Sequence, residues 1–381
     1  MKKIAAIIFL ISIVLLFGVI AFQTSESNPF STKKESAELP TRALASETKS
    51  FHSSITIAAI GDILIHRPVY EDAKAQDGSY NFKPMIENVM HLLSEPDFTI
   101  ANQESIIGGT EIGLSSYPSF NSPYEVADAF KEAGVDLMTM ANNHTLDRGE
   151  KAILNAISHY NKIGMHYVGS YESEQDANTL RIINVQGIKL GFLSYTYGTN
   201  GIPVPKGKNH LVSLIDQEKI KQDLQKLKSE SDVIIVNMHW GLEYQSYPSN
   251  EQKELAKFLA NEGAHVIIGH HPHVLQPMEW IENNAGDKSI VIYSLGNFLS
   301  AQKGNGKDVG GVFTLTIEKN ITSNVNTITL KNPTLIPTFV SSQHSRNYRV
   351  DELETINSNL YQEVIAHMNQ WIDDSVSIFS K

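Results

Sequence analysis

The sequence predicts an α/β domain in which a largely parallel sheet is covered by helices on both faces, behind an N-terminal transmembrane helix. From Ile55 onward, short β-branched runs alternate with amphipathic stretches of helical period. Such alternation is typical of parallel strands joined by crossover helices. The transmembrane helix is indicated by the 19 uncharged residues Ile4–Phe22.

Residues 1–22 are predicted to be a membrane anchor. At about 1.5 Å per residue, a helix of this uncharged length nearly spans a bilayer core of about 30 Å. Lys2 and Lys3 precede it and keep the amino end in the cytoplasm, so a single-pass cell-membrane protein with an extracellular main domain is expected. The alternative is a cleaved signal peptide with Val19 and Ala21 as the small residues of the cleavage site, which would give a secreted protein.

The remainder divides into four segments. Residues 23–53 are polar, contain two prolines and show no apolar period, which is typical of a linker. Residues 54–300 are expected to form the main domain, 301–345 the terminal strands that complete it, and 346–381 a C-terminal helix. Predicted strands are the runs SITIAAIGD, DFTIANQES, VDLMTMANNH, HYVGS, IKLGFLSYT, DVIIVNMHWG, HVIIGHHPH and SIVIYSLGNF, with a late antiparallel hairpin from Val312–Thr316 and Thr327–Leu330. Predicted helices cover Pro84–Ser94, Tyr124–Ala133, Glu150–Ile163, Gln217–Lys228 and Glu251–Glu262.

Composition excludes several classes of function. The 381 residues include 41% hydrophobic and 19% charged residues, which is enough apolar material for a folded core. A formal net charge of −11 argues against nucleic acid as a partner. The chain has no cysteine, so thiolate metal sites and disulfides are excluded. Any metal must therefore be held by His, Asp, Glu or Asn.

Chemistry-bearing side chains follow five of the predicted strands. Ligands of open α/β sheets bind at the carboxyl ends of strands, so these residues are expected to meet at one edge. They are Gly61-Asp62, Asn102-Gln103-Glu104, Asn142-Asn143-His144, His239-Trp240-Gly241 and His270-His271-Pro272-His273. Imidazole suits Zn, Fe and Mn, and carboxylate or amide oxygen suits Mg and Mn. The combination predicts a centre for two divalent cations, Mn, Zn or Fe, although a lone Gly-Asp is more typical of a turn.

The order GD, NxE, NNH, HWG, GHHPH and SLGNF resembles the CapA family of capsule or poly-gamma-glutamate biosynthesis proteins, over roughly Thr56–Asn297. The resemblance implies a calcineurin-like metallophosphoesterase fold, a layered sheet with helices on both faces. It also implies the following roles: Asp62 on the first metal, Glu104 as the bridging carboxylate, Asn143 and His239 on the second metal, His144 as the acid or anion-stabilising imidazole, and His270–His273 closing both sites.

The sequence departs from the metallophosphoesterase pattern at three points. The usual D-x-H has Leu64 two residues after Asp62, and the bridging carboxylate is Glu104 rather than an aspartate. The last motif is G-H-H-P-H rather than G-H-x-H. His271 and His273 keep the H-x-H spacing and are favoured as ligands over His270.

The resulting hypothesis is a metal-dependent hydrolase that acts on a phosphoester or on an amide of an anionic polymer such as poly-gamma-glutamate. Asp147, three residues after His144, is a candidate to orient that catalytic imidazole, and Arg67 and Asn297 are candidates to hold an anionic substrate group. The alternative is a non-catalytic accessory or scaffold subunit that works with membrane synthase subunits of a polymer synthesis and export complex. G-x-S-x-G, G-x-G-x-x-G and P-loop fingerprints are absent from the sequence.

Overall fold

A computed structural model of the protein describes residues 50–322, 325–373 and 377–380. The predicted anchor at residues 1–22 and the predicted linker up to residue 49 lie outside these ranges. None of the helices within the described ranges is long and apolar enough to cross a membrane.

Strands and helices alternate along the chain, as the apolar runs predict. The strands are β1 (Phe51–Leu64), β2 (Phe98–Gln103), β3 (Leu137–Thr139), β4 (His166–Val168), β5 (Ile182–Val185), β6 (Ile188–Thr196), β7 (Val233–His239), β8 (Val266–His270), β9 (Leu275–Glu282), β10 (Lys288–Leu295), β11 (Asn297–Ser300), β12 (Val309–Thr322), β13 (Val325–Gln343), β14 (Arg346–Glu352) and β15 (Ser377–Ser380). The helices are α1 (Arg67–Ala73), α2 (Lys83–Ile86), α3 (Met90–Ser94), α4 (Glu125–Glu132), α5 (Gly149–Ile163), α6 (Glu174–Ala177), α7 (Gln217–Glu230), α8 (Asn250–Glu262), α9 (Leu353–Ile356) and α10 (Ser358–Met368). Short 3-10 turns lie at Glu87–Val89, Thr110–Ile112 and Asn209–Leu211.

The strands form two mixed sheets rather than the single sheet that the alternation predicts. The first has the order β14-β13-β12-β1-β2-β3-β4, with β11 also beside β1 and β15 beside β13. The second has the order β5-β6-β7-β8-β10-β9. Strands β1 to β4 are mutually parallel, as are β6, β7, β8 and β10. Strand β12 is antiparallel to β1, and β5 and β9 are antiparallel to their neighbours β6 and β10.

The main hydrophobic core is shared by the two sheets. Ile57 of β1 and Ile268 of β8 belong to one buried cluster, and β1 contacts both β8 and β10. A second cluster joins Ile220 and Leu224 of α7 to Ile234 of β7. The apolar residues 233–236 that begin β7 would be buried on both faces whether the strands formed one sheet or two packed sheets. The sequence pattern therefore does not distinguish these two architectures.

Local sequence explains where α8 begins and ends. Ser249 and Gln252 form a reciprocal capping box at its start, which satisfies two backbone donors that the first turn leaves open. Gly263 ends it in the left-handed conformation at φ 104°. Helix α8 therefore lies within one residue of the predicted Glu251–Glu262.

The C-terminal segment differs from the predicted helix over residues 346–381. Its first part is strand β14, in which Tyr348 and Val350 are buried at alternate positions while their neighbours are more exposed. Burial at every second residue is typical of a strand, and β14 pairs with β13. Helices α9 and α10 follow, and β15 returns to pair with β13. The predicted hairpin is present as β12 and β13, with Ile317 opposite Leu330.

Two glycines allow close backbone approaches beside the motif residues. A Cβ at Gly61 would lie 2.2 Å from the carbonyl oxygen of Gly296, and one at Gly269 would lie 1.9 Å from that of Tyr293. Any side chain would separate these backbones. Gly61 and Gly269 stand directly before Asp62 and His270, so these close approaches lie beside two of the predicted ligands.

Candidate metal centre

The predicted ligands meet where the carboxyl ends of parallel strands from both sheets converge. Asp62 lies in β1, Glu104 directly follows β2, and the Asn143-His144 pair follows β3 in the first sheet. His239 ends β7 and His270 ends β8 in the second. All of these side chains are buried.

Asp62 lies beside the imidazoles of the GHHPH segment. Its Oδ2 is 3.2 Å from Nδ1 of His273 and its Oδ1 is 3.3 Å from Nδ1 of His270. Asn102 donates to Oδ1 at 2.8 Å. Burial alone would raise the pKa of Asp62, but His270 and His273 outweigh it and hold the pKa well below its usual value. Asp62 is therefore a carboxylate.

Glu104 lies at the centre of the cluster. Its Oε1 is 3.5 Å from Nε2 of His239 and 3.7 Å from Nε2 of His273. Glu104 therefore lies between the imidazole at the end of β7 and one that follows β8. Both carboxylate oxygens are buried and have no hydrogen-bond partner among the described residues. Burial raises the pKa of Glu104 to about 8. The ionised form of such a buried group is costly unless a cation pairs with it.

Asn143 and His239 form the far side of the cluster. Nε2 of His239 lies 2.8 Å from Oδ1 of Asn143, and the ring centroids of His239 and His271 are 4.9 Å apart. Burial lowers the pKa of His239 well below its usual value and that of His271 to about 2. Both imidazoles are therefore neutral, which is the form that binds a metal.

The backbone of the GHHPH segment is strained. His271 has φ 97° and His273 has φ 59°, in the region where side chains other than glycine are disfavoured. Strain of this kind persists where the surroundings enforce it and is concentrated at functional sites. Here it accompanies two adjacent imidazoles that both lie near Glu104: ligand atoms of Glu104, His271 and His273 are all within 4.8 Å of one another.

The arrangement fits divalent cations. Two donors that bind one cation at about 2.0–2.2 Å each are about 3–3.5 Å apart. The spacings among Asp62, Glu104, Asn143, His239 and His273 given above run from 2.8 to 3.7 Å, which brackets this range. Besides the oxygens of Glu104, Nδ1 of His239, Nε2 of His270 and Nδ1 of His271 are buried without a hydrogen-bond partner within the described ranges. Oxygen and imidazole donors with free lone pairs suit Mn, Zn or Fe.

His144 and Asp147 form an oriented pair beside this cluster. Nδ1 of His144 lies 2.7 Å from Oδ2 of Asp147, and the same oxygen accepts the backbone amide of Phe120 at 2.6 Å. The ring of Phe120 packs edge-on against His144, with centroids 4.7 Å apart. The imidazole is thus held in one orientation next to Asn143.

Asn297 does not have the geometry predicted for a substrate-binding residue. It is 0% exposed, its Oδ1 lies 3.1 Å from Nδ1 of His273, and its Nδ2 donates to the carbonyl of His273, to Gln302 and to the carbonyl of Lys307. Both polar atoms of the Asn297 amide are engaged in contacts inside the protein. Its contacts with His273 orient that imidazole. The reason is that β11 lies beside β1, with Asn297 opposite Asp62.

Arg67 is also separate from the cluster. It is exposed at the first residue of α1, and its backbone amide donates to Oγ of Ser116 at 3.0 Å. Within the part of the chain that the structure describes, no hydrogen bond or ion pair joins its guanidinium to the predicted ligands. The predicted contact with a substrate anion has no support in this geometry.

Two residues of the centre's surroundings were missed by the sequence analysis. Tyr197 follows β6, and its ring lies 4.7 Å from that of His271 and nearly parallel to that of His239. Asn200, three residues later, accepts from Nδ2 of Asn143 at 3.2 Å. Strand β6 is one of the predicted runs. The other sites were selected as the residues that follow a predicted strand, and the same criterion applied to the YGTN after this run would have found both residues.

Comparison with known proteins agrees with the motif-based resemblance. Residues 56–302 match the model of the family described as "Bacterial capsule synthesis protein PGA_cap". The chain is 30% identical over 279 residues to the capsule biosynthesis protein CapA of Bacillus anthracis, covering 69% of this chain and 64% of that protein. It is 27% identical over 271 residues to the PGA biosynthesis protein CapA of Bacillus subtilis (strain 168), covering 68% and 67%.

Among solved structures, the chain is similar to the calcineurin-like phosphoesterase YfkN from Bacillus subtilis, at 15% identity and a TM-score of 0.41, covering 82% of this chain and 98% of that one. A score of this size does not by itself identify the fold. The matched segment is less than two thirds of the Bacillus anthracis relative's length. The family match covers more than half of the 381 residues; the predicted resemblance is confirmed, and the chain belongs to the bacterial capsule synthesis protein family PGA_cap.

Proposed function

We propose that this protein is a membrane-anchored, extracellular member of the family that takes part in capsule or poly-gamma-glutamate biosynthesis or export and carries a metal-dependent hydrolase site. Family membership supports the biological role. The uncharged run Ile4–Phe22 supports the anchor. Two facing mixed sheets with ligands at their carboxyl ends support a calcineurin-like arrangement.

The observation that carries the hydrolase site is Glu104. Glu104 is a fully buried carboxyl group whose two oxygens have no hydrogen-bond donor among the described residues, and it lies between the imidazoles of His239 and His273. A divalent cation at this place would stabilise its ionised form and use both oxygens. Asp62 with His273 and His270 would hold one cation. Asn143 with His239 and His271 would hold the other, and Glu104 would touch both.

Two such cations would activate a water molecule and neutralise charge that develops on the attacked group. The chain's own residues supply proton transfer. Asp147 accepts the Nδ1 hydrogen of His144, so Nε2 is the nitrogen that exchanges a proton with the substrate. The Asp147 carboxylate also stabilises the charged imidazolium while His144 holds that proton. The substrate is a phosphoester or an amide of an anionic polymer.

The metal centre is tested by metal content of the purified full-length chain after loading with Mn²⁺ and dialysis. The parent is expected to retain Mn²⁺ and Glu104→Gln to lose it. Glu95→Gln is the matched control, because exposed Glu95 stands before β2 and Glu104 directly after it, and the six residues of β2 span about 20 Å at about 3.3 Å per strand residue. A parent without bound metal, or a Glu104→Gln variant that retains it, would contradict the proposal.

Hydrolysis is tested with p-nitrophenyl phosphate, bis-p-nitrophenyl phosphate and poly-gamma-glutamate. Activity on one of them is expected, abolished by a chelator and restored by Mn²⁺. Localisation is tested by fractionation: the full chain is expected in the membrane fraction with protease-accessible residues outside the cell. Release into the medium with residues 1–22 removed would support the signal-peptide alternative.

A second candidate, a non-catalytic accessory subunit for membrane synthase subunits, is favoured by one observation. Leu64 occupies the D-x-H histidine position and is 2% exposed, so the first cation has no imidazole from β1. Under this reading, His144→Ala still supports capsule formation, whereas deletion of residues 1–22 abolishes it. Under the hydrolase reading, His144→Ala abolishes capsule formation too.

A further inference from the structure

The loop after β6 borders the metal centre but has no role in the chemistry proposed above. Its first residue, Tyr197, donates its backbone amide to the carbonyl of His239 at 3.0 Å. Within the loop, Thr199 is buried and its hydroxyl donates to the carbonyl of Ile202 at 2.6 Å. The loop, residues 197–202, is therefore held in place at both ends, beside a ligand of the second cation.

The side chain of Asn200 reaches from this loop to the centre. Oδ1 of Asn143 faces His239 at 2.8 Å, so the amide nitrogen of Asn143 is the atom that faces Asn200. That nitrogen donates to Oδ1 of Asn200 at 3.2 Å. The orientation of the Asn200 amide follows, because the oxygen accepts this bond and the nitrogen must point the other way.

Among the described residues, the Nδ2 group of Asn200 has one neighbour at hydrogen-bonding distance, and that neighbour cannot accept. It lies 3.4 Å from Nδ1 of His144. That nitrogen carries the hydrogen donated to Asp147 at 2.7 Å and cannot accept a second one. Asn200 is exposed, so its Nδ2 group is accessible to a ligand beside His144 and Asn143.

We propose that Asn200 is a substrate-binding residue whose Nδ2 donates a hydrogen bond to an oxyanion oxygen of the substrate at the His144 side of the metal centre. The inference rests on the proposed function, since the cations would hold the other oxygens of the same group. The Asn200 donor together with a cation pair would suit a tetrahedral anion such as a phosphoryl group, which offers several oxygens at once. Tyr197, 48% exposed, forms the adjacent wall over His239 and His271.

The test is binding of inorganic phosphate to the Mn²⁺-loaded full-length chain, measured by isothermal titration calorimetry. Asn200→Gly removes the amide while tolerating the left-handed backbone at φ 50°. It is expected to weaken phosphate binding about tenfold or more, as removal of a donor to an anion does. Asn347→Gly is the matched control, because Asn347 is also exposed and left-handed at φ 52° but lies in β14. It is expected to bind as the parent does.

Asn200→Asp keeps the shape but replaces the donor by a negative charge, and is expected to bind phosphate more weakly than Asn200→Gly. Asn200 also accepts a hydrogen bond from the proposed ligand Asn143, so the Mn²⁺ affinity of Asn200→Gly is expected to fall less than its phosphate affinity, which is measured at saturating Mn²⁺. Equal phosphate affinity of parent and Asn200→Gly overturns the inference, as does an Asn200→Gly variant that loses Mn²⁺ as well, since the residue would then only support Asn143. A parent that binds Mn²⁺ but no phosphate overturns it and leaves the metal centre intact. A parent that binds no Mn²⁺ overturns the proposed function.

Discussion

Asp147 holds the ring of His144 through a 2.7 Å contact between Oδ2 and Nδ1, and the backbone amide of Phe120 fixes that same carboxylate oxygen from the other side. The carboxylate is nearly inaccessible to solvent, at 1% side-chain exposure. A buried acceptor with two donors sets both the tautomer and the direction of the imidazole. In the proposed reaction, Nε2 is therefore the nitrogen that would exchange a proton with the substrate.

Asp147→Asn is expected to lower kcat of the metal-loaded enzyme about 10- to 100-fold with little change in KM, because the amide no longer enforces the Nδ1–H tautomer or stabilises the imidazolium. The pH dependence of kcat should shift, which a purely structural role would not cause. Asp128→Asn is the matched control: Asp128 makes the same 2.7 Å contact with His159 away from the centre. Unchanged kinetics in Asp147→Asn would contradict the assigned role.

Asn297→Ala is expected to weaken Mn²⁺ binding about 10- to 100-fold, because His273 loses the partner that holds its ring. It should also lower the free energy of unfolding by about 1–3 kcal/mol, since the carbonyl of Lys307 loses its buried donor. Metal titration and urea unfolding measure the two effects. Asn155→Ala is the control, because Asn155 bonds only to Gly108 and Glu111, away from the predicted ligands. Full metal affinity in Asn297→Ala would restore the predicted substrate role.

Metal affinity is expected to rise with pH between about 6 and 9. Burial alone would lower the pKa of His273, but Glu104 and Asp62 raise it to about 9, and burial raises that of Glu104 to about 8. A cation must displace protons from these groups, so protons compete with it more strongly at lower pH. Calorimetry in buffers of different ionisation enthalpy should detect proton release on Mn²⁺ binding. A pH-independent affinity with no proton release would contradict this expectation.

Asp232 links the start of β7 to the β12–β13 hairpin. It accepts from the amide of Lys189 at 2.8 Å, from Nζ of Lys319 at 2.7 Å and from Asn326 at 3.2 Å. Burial would raise the pKa of Asp232, but these donors outweigh it and lower the pKa below its usual value. Stability from this group is therefore present above the unfolded-state pKa of about 3.9 and is lost as the pH falls through the lower folded value.

Asp232→Asn is expected to lower the free energy of unfolding at pH 7 by about 1–2 kcal/mol, because the ion pair with Lys319 is removed. The difference between parent and variant should shrink as the pH falls below about 4. Urea unfolding at several pH values measures both. A difference that stays constant down to pH 3 would show that the carboxylate charge does not matter.

The predicted ligands that the structure brings together are those at strand ends with an apolar run before them. Asp62, Glu104, Asn143, His239 and the His270–His273 segment can be located from sequence because a buried strand is visible as an apolar run and its end is where the run stops. Their metal-binding roles remain proposals that the metal titrations test. Asn297 also follows an apolar run, but its side chain turns inward because β11 lies against β1, a pairing between residues far apart in the chain.

The sequence alone determined which donor atoms this protein can offer a metal, with no thiolate among them, because this depends only on residue identity. It also determined the strand ends on which those donors lie, because a strand is visible in the local hydrophobic pattern. Only the tertiary structure decided that the strands form two facing sheets, that Asn297 supports His273, and that Tyr197 and Asn200 border the centre. The physical reason is that local hydrophobic patterns are the same for a strand buried in one sheet or between two. Close approaches such as that of Gly61 to Gly296 are set by contacts between distant segments.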